Sequence, residues 1–86
     1  MRRLVQINDN LPARTDLIDY LKTKDGTFVN INEIIISTLP FSEVFINNNS
    51  FKVGSTGILT FSDVEITKLV FQNDLDLRTY IDCFVI

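Results

Sequence analysis

The 86 residues, with a formal net charge of −3 and no histidine, leave room for one domain and no linker. Without imidazole the chain lacks the commonest general base, most nucleophile-activating dyads and the usual transition-metal ligand. Apolar content is high at 45%, with 7 Phe, 11 Ile and no Trp, yet no apolar run approaches the roughly 20 residues of a membrane-spanning helix. A chain this short buries only about 60–65% of the surface its unfolded form exposes. Its apolar content therefore exceeds what its own core can enclose, and the excess is expected at a contact with another molecule.

Charge is unevenly spread. Residues 1–24 carry five bases (Arg2, Arg3, Arg14, Lys22 and Lys24) against three acids, whereas residues 25–86 carry three bases against eight acids. Complementary potentials favour and orient association, so the basic opening segment suits the acidic body of another copy, or an acidic partner. An isoelectric point near 4.6 argues against nucleic acid as the main partner, and Arg2, Arg3 and Arg14 are the only footprint it would find. The opening MRRLVQINDN has a charged head but too short an apolar segment for a secretory signal.

Arg3 to Ile7 alternates as a short strand, with Leu4 opposed to Val5 and Ile7. Asn8-Asp9-Asn10 and Pro12 break it. A helix is predicted over residues 15–24, with Thr15 as N-cap, Asp16 and Asp19 in the first turn and Lys22 and Lys24 near the end, matching the helix dipole. Leu17, Ile18 and Leu21 share its apolar face, and Asp25-Gly26 is expected to stop it. So short a helix is marginal alone and must lie on a sheet.

From Thr27 onward the period is two. Phe28 and the cluster Ile31, Ile34, Ile35 and Ile36 predict one bent strand or two short ones, the alternation losing register at Glu33. Leu39-Pro40-Phe41 reads as a turn or edge segment. Strands at Glu43–Ile46 and Phe51–Val53 flank Asn47-Asn48-Asn49-Ser50, a hairpin signal because Asn tolerates positive φ. Gly54 to Gly57 is a second turn, and Ile58 to Phe61 a strand leading into Ser62-Asp63. Val64 to Phe71 is a further strand, with Val64, Ile66 and Val70 on one side and Leu69 and Phe71 on the other. After Gln72-Asn73-Asp74 turns the chain, Thr79 to Ile86 closes it, with Tyr80, Phe84 and Ile86 on one face and Ile81, Cys83 and Val85 on the other. A strand apolar on both faces needs cover on both, from a second layer or from a partner. Ser50 to Phe71 reads as the stretch around which the sheet is organised.

Few constellations suggest chemistry. Asp63, Asp74, Asp76 and Asp82 could converge at one end of the sheet, but read first as solvated acids on turns. Asn73-Asp74-x-Asp76 clusters oxygen ligands that suit calcium, without the glycine and closing glutamate of an EF-hand loop. Gly54-x-x-Gly57 lacks the Lys-Ser/Thr that follows a phosphate loop. Cys83 has no second cysteine to pair with and, between Ile81 and Val85 on one face, reads as a small buried side chain. Catalytic residues, cofactors and metal ligands are all expected to be absent.

The run Phe51-Lys52-Val53-Gly54-Ser55-Thr56-Gly57-Ile58-Leu59, then Val64-Glu65-Ile66-Thr67-x-Leu69-x-Phe71 and the closing Ile81-Asp82-x-Phe84-Val85-Ile86, resembles the C-terminal β-domains of small structural proteins of tailed bacteriophages. It departs from them at Thr60-Phe61, where an acid is usual. The resemblance implies a virion component that binds other virion proteins and has no catalytic residues.

The expected fold is mainly β: a small sandwich or jelly-roll-like domain of about seven strands over residues 1–86. A basic strand-plus-helix segment (1–26) would lead into a sheet body (27–86). The expected function is a non-enzymatic capsid, tail or decoration protein of a phage virion, assembled in the host cytoplasm from copies of itself or other virion proteins. The alternative is a small cytoplasmic regulator that binds a host protein. Neither reading calls for a small-molecule substrate or a membrane. Phe41, Phe45, Tyr80, Phe84 and Ile86 are the expected contact residues, joined by Arg2 and Arg3, because aromatics that a small core cannot enclose make good interface anchors.

Overall fold

The computed structural model describes residues 3–24, 26 and 30–86. Among them the chain forms β1 (Arg3–Ile7), α1 (Leu17–Lys24), β2 (Ile31–Ser37), β3 (Glu43–Ile46), β4 (Asn49–Lys52), β5 (Ile58–Ile66), β6 (Leu69–Phe71) and β7 (Tyr80–Val85). The fold is mainly β, with two antiparallel sheets: a four-stranded one in the order β1-β7-β2-β5 and a three-stranded one in the order β4-β3-β6. No helix among the described residues is long and apolar enough to cross a membrane.

Alternation decides which side of each strand turns inward. Ile7, Ile34, Ile36, Ile81 and Cys83 from the larger sheet meet Val44, Ile46, Leu69 and Phe71 from the smaller one, and α1 adds Leu17, Ile18 and Leu21 to the same cluster. Each fully buried aliphatic side chain stabilises the fold by about 1.5–3 kcal/mol. Phe51 of β4 and Phe61 of β5 meet edge to face across the two sheets, with ring centroids 4.9 Å apart, the geometry favoured by the aromatic quadrupole. The radius of gyration, 11.8 Å, is close to the roughly 12 Å of a well-packed chain this long. Exposed apolar residues are therefore not a sign of loose packing.

Local chemistry explains most of the turns. Asn47 and Asn48, at φ 50° and 68°, form the two-residue connection of the β3-β4 hairpin, which pairs Ile46 with Asn49. Asn49 and Ser50, expected in the turn, belong to β4. Gly57 sits at φ +75°, and a Cβ there would lie 2.5 Å from the Thr38 carbonyl oxygen, while the Thr38 N–H donates to the Gly57 carbonyl at 2.8 Å. This close backbone approach leaves space only for glycine.

Three expectations need correction. Asp16, not Thr15, caps the helix: its Oδ1 accepts the Ile18 N–H at 3.0 Å, while the Thr15 hydroxyl turns back to the Pro12 carbonyl at 2.7 Å. Residues 64–71 are not one strand. Asp63, at φ 59°, lets β5 run on to Ile66 through a bulge, and the chain then crosses to the other sheet at Thr67-Lys68. The Asn47 side chain fixes this crossing, its Oδ1 accepting the Thr67 and Lys68 N–H groups at 2.8 and 3.1 Å and its Nδ2 donating to the Glu65 carbonyl at 2.9 Å. The bulge also turns Val64 to solvent while Ile66 is buried, although plain alternation puts them on one side. Finally, the stretch 50–71 is not central: β4, β5 and β6 are edge strands around β7, β2 and β3.

The bend expected near Glu33 is a bulge at Asn32, an extra β2 residue against β7. Asn32 Oδ1 is buried without a hydrogen-bond partner, a cost of about 1–3 kcal/mol. The expected helix stop at Asp25, the strand start at Thr27-Phe28 and the contact residue Arg2 lie outside the described residues.

Candidate protein interface

The outer face of the four-stranded sheet is built by the residues that alternation leaves over. In register across it, Leu4 stands beside Phe84, then Glu33 and Ser62; Gln6 stands beside Asp82, Ile35 and Thr60; Tyr80 stands beside Ser37 and Ile58. Four strands about 4.8 Å apart make this face about 15 Å wide. Leu4 is 50% exposed, Tyr80 51% and Ile58 53%, with Ile35 and Phe84 half-buried. Ile86, in phase with Phe84 just beyond β7, is 46% exposed and held by paired backbone hydrogen bonds to Asn30.

Two pairs of polar groups on this face satisfy each other. Gln6 Nε2 donates to Asp82 Oδ1 at 2.8 Å, and the Ser62 hydroxyl donates to Glu33 Oε2 at 3.4 Å. Asp82 and Glu33 are its charged groups among the described residues. Both acids lie on the central strands β7 and β2, with apolar residues above, below and beside them, so a surface suited to this face is mainly apolar and carries positive or neutral polar groups opposite Asp82 and Glu33.

The expected contact residues among the described ones divide among four places. Tyr80, Phe84 and Ile86 share the outer sheet face. Phe41 stands apart in the β2-β3 loop, 64% exposed at φ 65° with its N–H donated to the Val53 carbonyl. Phe45 of β3 is half-buried and faces outward on the smaller sheet, where with Val70 it floors an open groove of about 590 Å³. Arg3 is exposed on β1. Leu4, Ile35 and Ile58 were missed as contact residues. Leu4 had a visible signal, since it opposes Val5 and Ile7 in its strand.

Two further groups define what chemistry the chain offers. Tyr20 Oη donates to Asp9 Oδ2, the same oxygen that Lys24 Nζ approaches at 3.0 Å. The Tyr20 hydrogen bond, reinforced by Lys24, holds the Asp9 carboxyl below its ordinary range, and Asp9 in turn raises the Tyr20 phenol. These shifts stabilise the charges already present, so the trio ties α1 to the segment after β1 and offers no poised acid or base. Cys83 is wholly buried, and desolvation, with a smaller contribution from the Asp82 charge, pushes its thiol up to about 12, which suppresses the reactive thiolate.

The four acids expected to converge do not: only Asp74 and Asp76 are neighbours. Asp82 lies on the sheet face and Asp63 on the β5 bulge. Asp74 Oδ1 accepts the Ala13 N–H at 2.7 Å, and Asp76 grips Arg78 Nη2 at 2.6 Å. No cluster of three potential metal-ligating His, Cys, Asp or Glu side chains occurs among the described residues. Comparison with protein-family models, curated proteins and solved structures finds no match to this chain.

Proposed function

We propose that the protein is a non-enzymatic structural or accessory component that works by protein–protein contact through the outer face of its four-stranded sheet. The assembly it joins, on the resemblance of its C-terminal stretch, is the virion of a tailed phage. One observation carries the reading: Leu4, Ile35, Ile58, Tyr80 and Phe84 come from four strands onto one face that neither α1 nor the second sheet covers. Their retention on an outer face of an otherwise well-packed domain is what a docking surface requires. Tyr80 is the expected anchor, offering a large apolar ring at small entropic cost.

The test is particle composition. Mass spectrometry of purified particles is expected to find the wild-type chain and to lose it when Tyr80→Asp and Ile58→Asp are combined, with the variant still folded by circular dichroism. A chain absent from particles, or one that stays bound with both substitutions, defeats the proposal. Recovery from the cytosol in a defined complex with a host protein, rather than from particles, favours the regulator instead.

A further inference from the structure

The second outer face is different in chemistry. The groove on the three-stranded sheet has an apolar floor, Phe45 and Val70, paired directly in register. Arg14 and Lys68 stand on its rim with the amides of Asn48 and Gln72. Asp16, whose carboxylate caps α1, also lines it, so the groove carries two cations against one carboxylate. Lys24 and Arg78 each lie within 3.0 Å of a carboxylate, whereas neither Arg14 nor Lys68 is in an ion pair among the described residues. Arg14 is held in the left-handed region at φ 64°, with its N–H donated to the Phe71 carbonyl at 3.0 Å. The rim therefore carries two uncommitted cations over an apolar floor.

The same molecule displays the complementary shape. Between Ser62 and Ile66 the chain sets three residues, Asp63, Val64 and Glu65, against the single Asn32 of β2. All three are exposed, Val64 by 41%, and neither carboxylate is in a hydrogen bond or ion pair among the described residues. The other acidic run, Asp74-Leu75-Asp76, offers no such knob: Leu75 is buried, Asp74 holds the Ala13 N–H, and Asp76 is taken by Arg78.

We propose that the groove of one molecule receives the Asp63-Val64-Glu65 bulge of a second copy, with Val64 on the Phe45–Val70 floor and the two carboxylates at Arg14 and Lys68. Bulge and groove share one anchor, since the Asn47 side chain binds both the Glu65 carbonyl and the Lys68 N–H, and Asn48 beside it lines the groove. Adjacent complementary patches let two copies exchange bulges about a two-fold axis, each giving and receiving once. Each contact sets a three-residue bulge into one open groove, a small interface, so the dimer is expected to be reversible. The groove lies on the other sheet from the docking face, and the bulge, although part of β5, lies at the opposite end of that strand from Ile58 and the Tyr80 row, so either contact can fail without the other.

Sedimentation equilibrium tests it. The wild-type chain is expected to show a monomer–dimer equilibrium that weakens as salt is raised. Reversing the groove with Arg14→Glu and Lys68→Glu, or the bulge with Asp63→Asn and Glu65→Lys, is expected to weaken the dimer about tenfold or more. Asn is chosen at position 63 because it tolerates the left-handed backbone there. Mixing the two variants in equal amounts is expected to restore association, because each bulge then finds a groove of opposite charge. Tyr80→Ser is expected to leave the dimer intact. A wild-type monomer at every concentration, a dimer indifferent to both reversals, or folded variants that stay monomeric when mixed would each overturn the proposal.

Discussion

The inner face of the four-stranded sheet contributes Ile7, Ile34, Ile36, Ile81, Cys83 and Val85, each no more than 1% exposed, while the outer face of the same strands leaves Leu4 and Tyr80 about half exposed. Both faces are rich in apolar side chains, yet only one is used by the fold. Within β7 the division falls between neighbours: Ile81, Cys83 and Val85 point in, and Tyr80, Asp82 and Phe84 point out. Apolar character in a strand thus does not by itself identify core. The side chains that the second sheet and helix cover set stability, while those they leave uncovered are available for contact with other molecules.

The sharpest way to break this contrast is to truncate one residue of the inner set. Ile81→Ala removes a fully buried side chain from a central strand flanked by β1 and β2, and a cost of about 2–5 kcal/mol is expected from lost transfer energy plus the cavity left behind. Urea denaturation measures it. A cost below about 1 kcal/mol would mean that the inner face is no better packed than the outer one.

Cys83 probes the same face through pH. Its thiol is pushed from 9.0 up to about 12, first by burial, so the folded state keeps a proton that the unfolded chain gives up. Stability from this source is complete below pH 9 and falls as pH climbs toward 12, by at most about 1.4 kcal/mol per pH unit. Comparing wild type with Cys83→Val isolates it: the wild-type stability is expected to decline more steeply above pH 9. Parallel profiles would show that the thiol titrates in the folded chain as it does in the unfolded one.

The inner face was legible because its signal is local. Alternation placed the strands at Arg3–Ile7 and Glu43–Ile46 and, one residue too long at each end, at Thr79–Ile86; it set the sides of the first and last correctly, and the asparagine run located the hairpin. What alternation does not carry is strand order, which depends on pairings between distant residues. Ser50 to Phe71 therefore looked central when its three strands lie at sheet edges. The bulge was missed for a related reason: Asp63 tolerates a left-handed backbone, but only the pairing with β2 shows that it uses one. The groove had no local signal at all, since Arg14 and Lys68 meet only through the fold.

At the edge of the four-stranded sheet lies the seam where α1 meets β1 and the segment after it, closed partly by the Asp9, Tyr20 and Lys24 side chains rather than by packing alone. The Tyr20 hydrogen bond, then Lys24, lowers the Asp9 carboxyl below 3.8 in the folded chain. A lowered carboxyl stabilises the fold above its unfolded value and loses that contribution as pH falls through its folded value. Since the Lys24 and Asp9 side chains are 39% and 38% exposed, solvent screening keeps the contribution under about 1 kcal/mol. Asp9→Asn is accordingly expected to be slightly less stable than wild type at pH 6 and equally stable in strong acid. A difference that persists in acid would point to packing rather than charge.

The smallest effect on folding is expected where the apolar surface is most exposed. Leu4→Thr and Tyr80→Thr keep a residue suited to a strand and remove side chains that no inner layer touches, so each should change stability by about 0.5 kcal/mol or less. Leu4 lies on an edge strand beside Phe84, so its loss also trims one cross-strand contact and should be the costlier of the two. The double variant then separates the two roles of the sheet: its melting curve should nearly overlay that of wild type, while its incorporation into the proposed assembly fails. Loss of several kcal/mol on this face would mean that the outer residues support the fold after all. The argument for a docking surface would then go with them, because residues required by the domain itself need no partner to account for them.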